Sequence, residues 1–124
     1  IKKIIEELIR WDSPLQFFQR WVLEDTSLGG FNLKKNSKIA ILLGSANRDE
    51  LAFKNAEIIN FERDNLSHTS FGGGVHFCLG AHLARLELEV SLTNLFKNEI
   101  SLVDKPVRTG AFGIRGYKEI NVVY

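Results

Sequence analysis

The chain's one cysteine, Cys78, stands in the stretch FGGGVHFCLGAHLARLELEV (Phe71 to Val90), behind three consecutive glycines and between two histidines. A lone cysteine is by default a small buried apolar residue, and a glycine run is by default a flexible turn. Placement argues for more. Cys78 falls just before a segment with helical spacing, where unpaired backbone N–H groups and the positive end of the helix dipole stabilise negative charge on sulfur. Gly72, Gly73, Gly74 and Gly80 let the backbone pass close under a flat ligand without side-chain clashes. Two chemistries use a charged sulfur presented from a tight loop: a nucleophilic cysteine and a metal thiolate. A nucleophile would need His76 or His82 as its base. His76 is only two residues away on a tight loop, which is poor geometry for that role, and no third group is evident to orient it.

The elements that must position this loop are legible in part. IKKIIEELIRW has apolar residues at Ile1, Ile4, Ile5, Leu8 and Ile9 with charges between them, which predicts a helix with one buried stripe. Asp12-Ser13-Pro14 should end it, since the residue before a proline leaves the helical region. The aromatic-rich run Leu15–Leu33 reads as strands turning at Gly29-Gly30. Lys38–Leu43 reads as a buried strand broken at Gly44, and DELAFKN (Asp49–Asn55) as one short helix. Ala56–Ser70 has little periodicity and reads as an ordered, irregular meander. Ala81–Lys97 repeats apolar residues at Leu83, Leu86, Val90, Leu92, Leu95 and Phe96, which predicts a long helix packed into a core. ISLV and INVVY should form a closing pair of strands.

Composition narrows the function classes. At 124 residues, 44% hydrophobic and 25% charged, the chain suits one globular unit, and a chain of that size buries roughly two thirds of its unfolded surface. A formal charge of +1 with scattered basic residues leaves no footprint for nucleic acid and no pull toward an anionic membrane. The longest apolar run, Ile39–Leu43, is too short to span a bilayer. With one cysteine there is no disulfide framework, and the expected setting is the cytoplasm. The chain has no Met and starts in the middle of an amphipathic pattern, which predicts a piece of something longer.

Phe71, Gly74, Cys78 and Gly80 spell F-x-x-G-x-x-x-C-x-G, which resembles the haem-binding signature of the cytochrome P450 family. The flanks agree: SHTSFGGGVHFCLGAHLARLE is similar to the soluble bacterial members throughout, and EELIRWDSP offers the family's E-x-x-R as Glu7 and Arg10. LLGSANRD and IRGYKEINVV follow in the right order. The resemblance implies an α+β, mainly helical cytochrome P450 fold, of which residues 1–124 are the C-terminal haem-binding portion of one larger domain: a K-helix-like start, small β-sheets, a meander, the cysteine loop, a long L-helix-like segment and a terminal β pair.

That resemblance implies haem b (iron protoporphyrin IX) as cofactor, with Cys78 the axial thiolate ligand and metal contact. Such a ligand pushes electron density onto iron and favours O–O cleavage. Backbone N–H groups after Cys78 would hydrogen-bond the sulfur, Phe71 would pack near it, and Gly72 and Gly80 would admit the ring. His76, His68 and Arg20 would pair with the propionates. Leu15–Gln19, with Gln16, Phe17 and Phe18, and the tail loop at Phe112 and Ile114 resemble segments that reach over the haem and face substrate, although plain core packing would explain them as well. Glu7 and Arg10 stand at i and i+3. As an exposed pair they would contribute about 0.2–0.5 kcal/mol, whereas in the family the pair is buried and ties the helix to the meander. The family's third, basic partner from the meander aligns with Ile58; either Arg63 takes its place or backbone acceptors do.

The function so implied is a monooxygenase that inserts one oxygen atom of O2 into a small apolar organic substrate, with electrons from a ferredoxin or flavodoxin-type donor. The helix carrying the family's acid–Thr pair has no match here, so the chain alone should not run the full cycle. A haem-binding remnant without catalysis is the alternative, and a cysteine-nucleophile protein ranks last.

Overall fold

The computed structural model describes every residue from Ile1 to Tyr124. Helix α1 (Lys2–Trp11) forms where the apolar spacing places it, and it ends at Asp12, whose N–H reaches the Leu8 carbonyl at 3.0 Å. Ile5 and Ile9 form its buried stripe, and Glu7 and Arg10 are buried with them.

The strands pair as small antiparallel ribbons. β1 (Phe18–Trp21) runs against β4 (Lys38–Ile41), with Arg20 opposite Ile39. Between them β2 (Thr26–Leu28) and β3 (Phe31–Leu33) form a hairpin that turns at Gly29 and Gly30, both at positive φ. The closing pair is present as β5 (Ser101–Leu102) against β8 (Val122–Val123).

Three readings are corrected. The strand expected to be buried over Lys38–Leu43 is exposed but for a half-buried Ile39 and ends at Ile41, and a four-residue helix, α2 (Leu43–Ala46), follows it. Asp49–Asn55 is a run of turns, not a helix: the Asp49 carboxylate accepts from the Leu51 N–H at 2.9 Å, and Glu50 accepts from the N–H groups of Asn55 and Ala56 at 3.0 and 3.1 Å. Acidic side chains that satisfy nearby backbone donors offer the chain an alternative to helix. A further ribbon, β6 (Val107–Arg108) against β7 (Tyr117–Glu119), went unread around Gly110, Gly113 and Gly116.

The long helix α3 (Ala81–Leu95) is as expected, but its core is not. Only Ala81 is buried, and Leu83, Leu86, Val90 and Phe96 are all more than half exposed. Only 13 of 124 residues are buried, and six of those are polar or charged. The buried set is therefore nearly as polar as it is apolar, and its polar part is centred where α1 meets the meander.

Candidate haem-thiolate site

The polar core is built on Glu7 and Arg10, both fully buried. The Arg10 guanidinium forks onto the Glu7 carboxylate, Nε to Oε2 at 2.7 Å and Nη2 to Oε1 at 2.8 Å. Its remaining hydrogens reach backbone carbonyls of Asn47 (2.7 Å), Ala56 (2.9 Å) and Ile58 (3.3 Å). Arg63 completes the group, donating Nε to both Glu7 oxygens at 3.1 and 3.2 Å and its other nitrogens to the carbonyls of Lys54, Asn55 and Ile58. Both options left open by the sequence are thus realised: Arg63 supplies the third charge, and Ile58 contributes its carbonyl while its side chain is exposed. Burial alone would raise the Glu7 carboxyl, but hydrogen bonds from Arg10, the Asn60 N–H and Arg63 outweigh it and hold the group below the carboxylate range.

Asn47 links this group to the cysteine loop. Its amide donates to Ser13 Oγ (2.6 Å) and Ser70 Oγ (2.7 Å), and its Oδ1 accepts from the Thr69 N–H (2.7 Å) and hydroxyl (2.9 Å). Two residues on, the loop begins. Gly72 and Gly74 take left-handed φ of 71° and 59°, a region closed to most side chains. A Cβ on Gly72 would also come within 3.3 Å of the His76 carbonyl. A 3-10 turn, Gly74–His76, leads to Cys78, whose N–H donates to the Phe71 carbonyl at 2.8 Å.

Cys78 is exposed, and Val75 and Leu79 on either side of it are 98% and 99% exposed. A Cβ on Gly73, Gly74 or Gly80 would meet nothing within 4 Å. The Leu79 and Gly80 N–H groups have no acceptor in the chain. The loop thus offers an open apolar face with a thiol and two free donors beside it. At one edge His76 is exposed and hydrogen-bonds to nothing in the chain. Arg20 makes no ion pair; its guanidinium lies 5.5 Å from the Phe18 ring, and that ring in turn abuts Gly72. No histidine hydrogen-bonds Cys78, so a base-activated nucleophile finds no support in the geometry.

Gln16, Phe17 and Phe112 come together around an open cavity of about 500 Å³, with the Phe17 and Phe112 rings 5.5 Å apart. Ile114 is not among the lining residues; it pairs with Leu15 in an isolated bridge. Phe18 belongs to the cysteine-loop side.

The family model described as Cytochrome P450 matches residues 1–104. The chain belongs to the cytochrome P450 family. A steroid C26-monooxygenase of Rhodococcus jostii is 44% identical over 99% of this chain, and the polyketide biosynthesis cytochrome P450 PksS of Bacillus subtilis is 46% identical over 78% of it. Among solved structures, P450BioI in complex with an acyl carrier protein ligated to hexadec-9Z-enoic acid superposes with a TM-score of 0.96 at 34% identity over 99% of the chain. CYP109E1 from Bacillus megaterium in complex with testosterone superposes at 0.93 and 34%. The chain spans 27% of the length of the Rhodococcus relative and 33% of the P450BioI chain. No helix is long and apolar enough to cross a membrane.

Haem is the cofactor this family implies, and the donor set fits it. A soft thiol stands on an exposed loop where Gly73, Gly74 and Gly80 leave open space; His76 there makes no side-chain hydrogen bond, and Arg20, which makes no ion pair, donates only to the Gln19 carbonyl at 2.9 Å. His68 does not join them. Its side chain is 1% exposed, Nε2 lies 3.0 Å from Glu6 Oε2, and Nδ1 accepts from the Ser70 N–H at 3.3 Å. Both ring nitrogens are occupied, which corrects the expectation that His68 reaches a propionate. The resemblance placed His68 at a propionate; the fold hands the ring to Glu6 of α1.

This placement has a pH consequence. Burial drives His68 below its ordinary value of 6.5, with Arg85 and Arg10 acting in the same sense, against the opposing pull of Glu6. Unfolding frees the ring to take up a proton that the native state refuses. His68 therefore contributes stability above about pH 6.5, and that contribution is lost as pH falls through the lower native value. Glu6, lowered chiefly by its hydrogen bonds from Arg85, and Glu7 act with the same sign at lower pH. The thermal midpoint should fall in two limbs on acidification, and His68→Gln should remove only the first. A midpoint that stays flat from neutrality down to the carboxylate range would show that His68 does not contribute.

Proposed function

We propose that the protein to which this chain belongs is a haem-thiolate monooxygenase, inserting one oxygen atom of O2 into an apolar organic substrate. One observation carries the reading: an exposed cysteine, fixed through its own N–H, on a glycine face flanked by an unpaired arginine and histidine. Haem b bound there would supply dioxygen activation and one-electron chemistry. Cys78 would hold the iron as thiolate, and the Leu79 and Gly80 N–H groups would donate to sulfur and temper its basicity. Arg20 and His76 would fix the propionates and so the ring's rotation. Phe17 and Phe112 would line the approach for an apolar substrate, with Gln16 the one polar group among the three. The relatives' names point to steroids, a polyketide and an acyl chain, which agree in being largely apolar. Electrons would come from a ferredoxin or flavodoxin-type donor docking near Cys78 and α3. Such an enzyme would work in the cytoplasm.

The test is the ferrous–carbonyl spectrum of the whole haem-loaded protein. Thiolate ligation gives a strongly red-shifted band, and Cys78→Ser should lose it while Arg20→Gln and His76→Gln keep it with weakened haem retention. A wild-type band at the position of histidine-ligated haem would sink the proposal.

A further inference from the structure

Glu6 precedes the family glutamate by one residue and takes no part in its network, yet it is the meeting point of three elements. Arg85, from the second turn of α3, forks onto it, Nε to Oε1 at 2.6 Å and Nη2 to Oε2 at 2.8 Å. His68, from the segment before the loop, reaches the same Oε2. Because Nδ1 accepts from Ser70, the proton sits on Nε2 and the neutral ring donates to the carboxylate. Both partners of Glu6 also touch Phe71: the Arg85 guanidinium lies 4.5 Å from its ring centroid, and the His68 ring 5.8 Å away at 43°. Phe71 in turn faces Phe77 at 6.3 Å, and its carbonyl holds the Cys78 N–H.

We propose that Glu6 and Arg85, braced by His68, are positioning residues for the Cys78 loop: one carboxylate fastens the two side chains that clamp the Phe71 ring. The proposal rests on the haem-thiolate reading. Beside the pair, a cavity of about 270 Å³ opens between Lys2 and Ile5 of α1 and His82, Leu86 and Glu89 of α3. The charged fork is therefore what spans the helices at this point. A bidentate fork fixes a plane as well as a distance, so it fixes the guanidinium over the ring. Lysine keeps the charge and loses the plane. Phe71 and Cys78 share a backbone hydrogen bond, so a loosened ring is a loosened sulfur.

The experiment uses the whole haem-loaded protein with Glu6→Gln, Arg85→Gln, Arg85→Lys and the double Glu6→Gln/Arg85→Gln variant. For each, the share of ferrous–carbonyl complex without the red shift, the ferric–ferrous potential and the thermal midpoint are measured. Each single variant should raise the unshifted share severalfold and displace the potential. Arg85→Lys should recover thermal stability more fully than it recovers the spectrum. The double variant should be no worse than the worse single one, because the fork acts as a unit. Wild-type spectra and potentials in variants that merely melt earlier would overturn the proposal and leave the pair purely structural. Should Arg85→Gln fail to take up haem, Arg85→Lys decides: full recovery of the spectrum overturns the clamp, and partial recovery upholds it. A wild-type protein without the red-shifted band would overturn the haem-thiolate reading itself, which the variants cannot do.

Discussion

Arg10→Ala is expected to leave the protein unable to keep its native fold or its haem at ordinary temperature. Removing one member of a buried ion pair costs about 3–5 kcal/mol, because the other charge stays behind uncompensated. That is a large share of the 5–15 kcal/mol typical of a folded domain. Arg10 sits at the severe end of the range, since its guanidinium also satisfies three backbone carbonyls, from Asn47, Ala56 and Ile58. Replacing a buried ion pair jointly with apolar residues is often harmless. Here it would not be, because the meander carbonyls would lose their donors along with the charges. The irregular chain from Lys54 to Ile58 has no ladder of its own, and its carbonyls at Lys54, Asn55, Ala56 and Ile58 take donors from Arg10 and Arg63. Arg10→Lys should therefore be nearly as damaging as alanine, since one ammonium cannot reproduce five directed bonds. Urea unfolding and haem content of the whole protein read this out. A midpoint for Arg10→Lys close to wild type would mean that charge alone matters and that the backbone bonds are incidental.

The parts of this fold legible in the sequence are those in which one residue pattern determines the outcome by itself. The spacing of Ile5, Leu8 and Ile9 sufficed for α1, and the glycine pair sufficed for the β2–β3 turn. The cysteine loop was legible because its glycines and its thiol are local to one another. What the sequence left open or misplaced depends on partners far along the chain. Arg63 could be matched to Glu7 only once the meander was folded. His68 lies close to the loop in sequence, but its carboxylate comes from α1. Glu6 and Arg85 gave no signal, being two ordinary charges among many on helical segments. Asp49–Asn55 was read as helix from its composition, and the Asp49 and Glu50 carboxylates redirected it by capping donors nearby. The apolar spacing of Ala81–Lys97 sufficed for the long helix but not for its packing, since Leu83, Leu86 and Val90 stay more than half exposed.

The second large effect is expected at Asn47, whose side chain is a junction and not a filler. Asn47→Leu keeps the branched shape of the side chain and removes four hydrogen bonds at a fully buried position. The Thr69 N–H loses its acceptor, the Thr69 hydroxyl keeps only the longer bond to the Leu43 carbonyl at 3.3 Å, and the Ser13 and Ser70 hydroxyls lose their common donor. Leaving a buried polar group unsatisfied costs about 1–3 kcal/mol, so the sum should be roughly 3 kcal/mol or more. Asn47→Asp separates the two halves of the junction. It keeps an acceptor for Thr69 but faces the two serine oxygens with another acceptor, while the Ser70 hydroxyl is already committed to the Ile9 carbonyl at 2.9 Å. The damage should also have an address. Thr69 accepts the Gly72 N–H at 2.7 Å, so losing the hold on Thr69 frees the first turn of the cysteine loop. Amide exchange at Thr69 and Gly72 should accelerate in both variants, more in Asn47→Leu than in Asn47→Asp, while amides in the interior of α1 change only as global stability does. Equal acceleration in α1 and in the loop would mean that Asn47 supports the fold as a whole. Acceleration confined to Thr69 and Gly72 would establish it as the tie between the polar core and the thiolate.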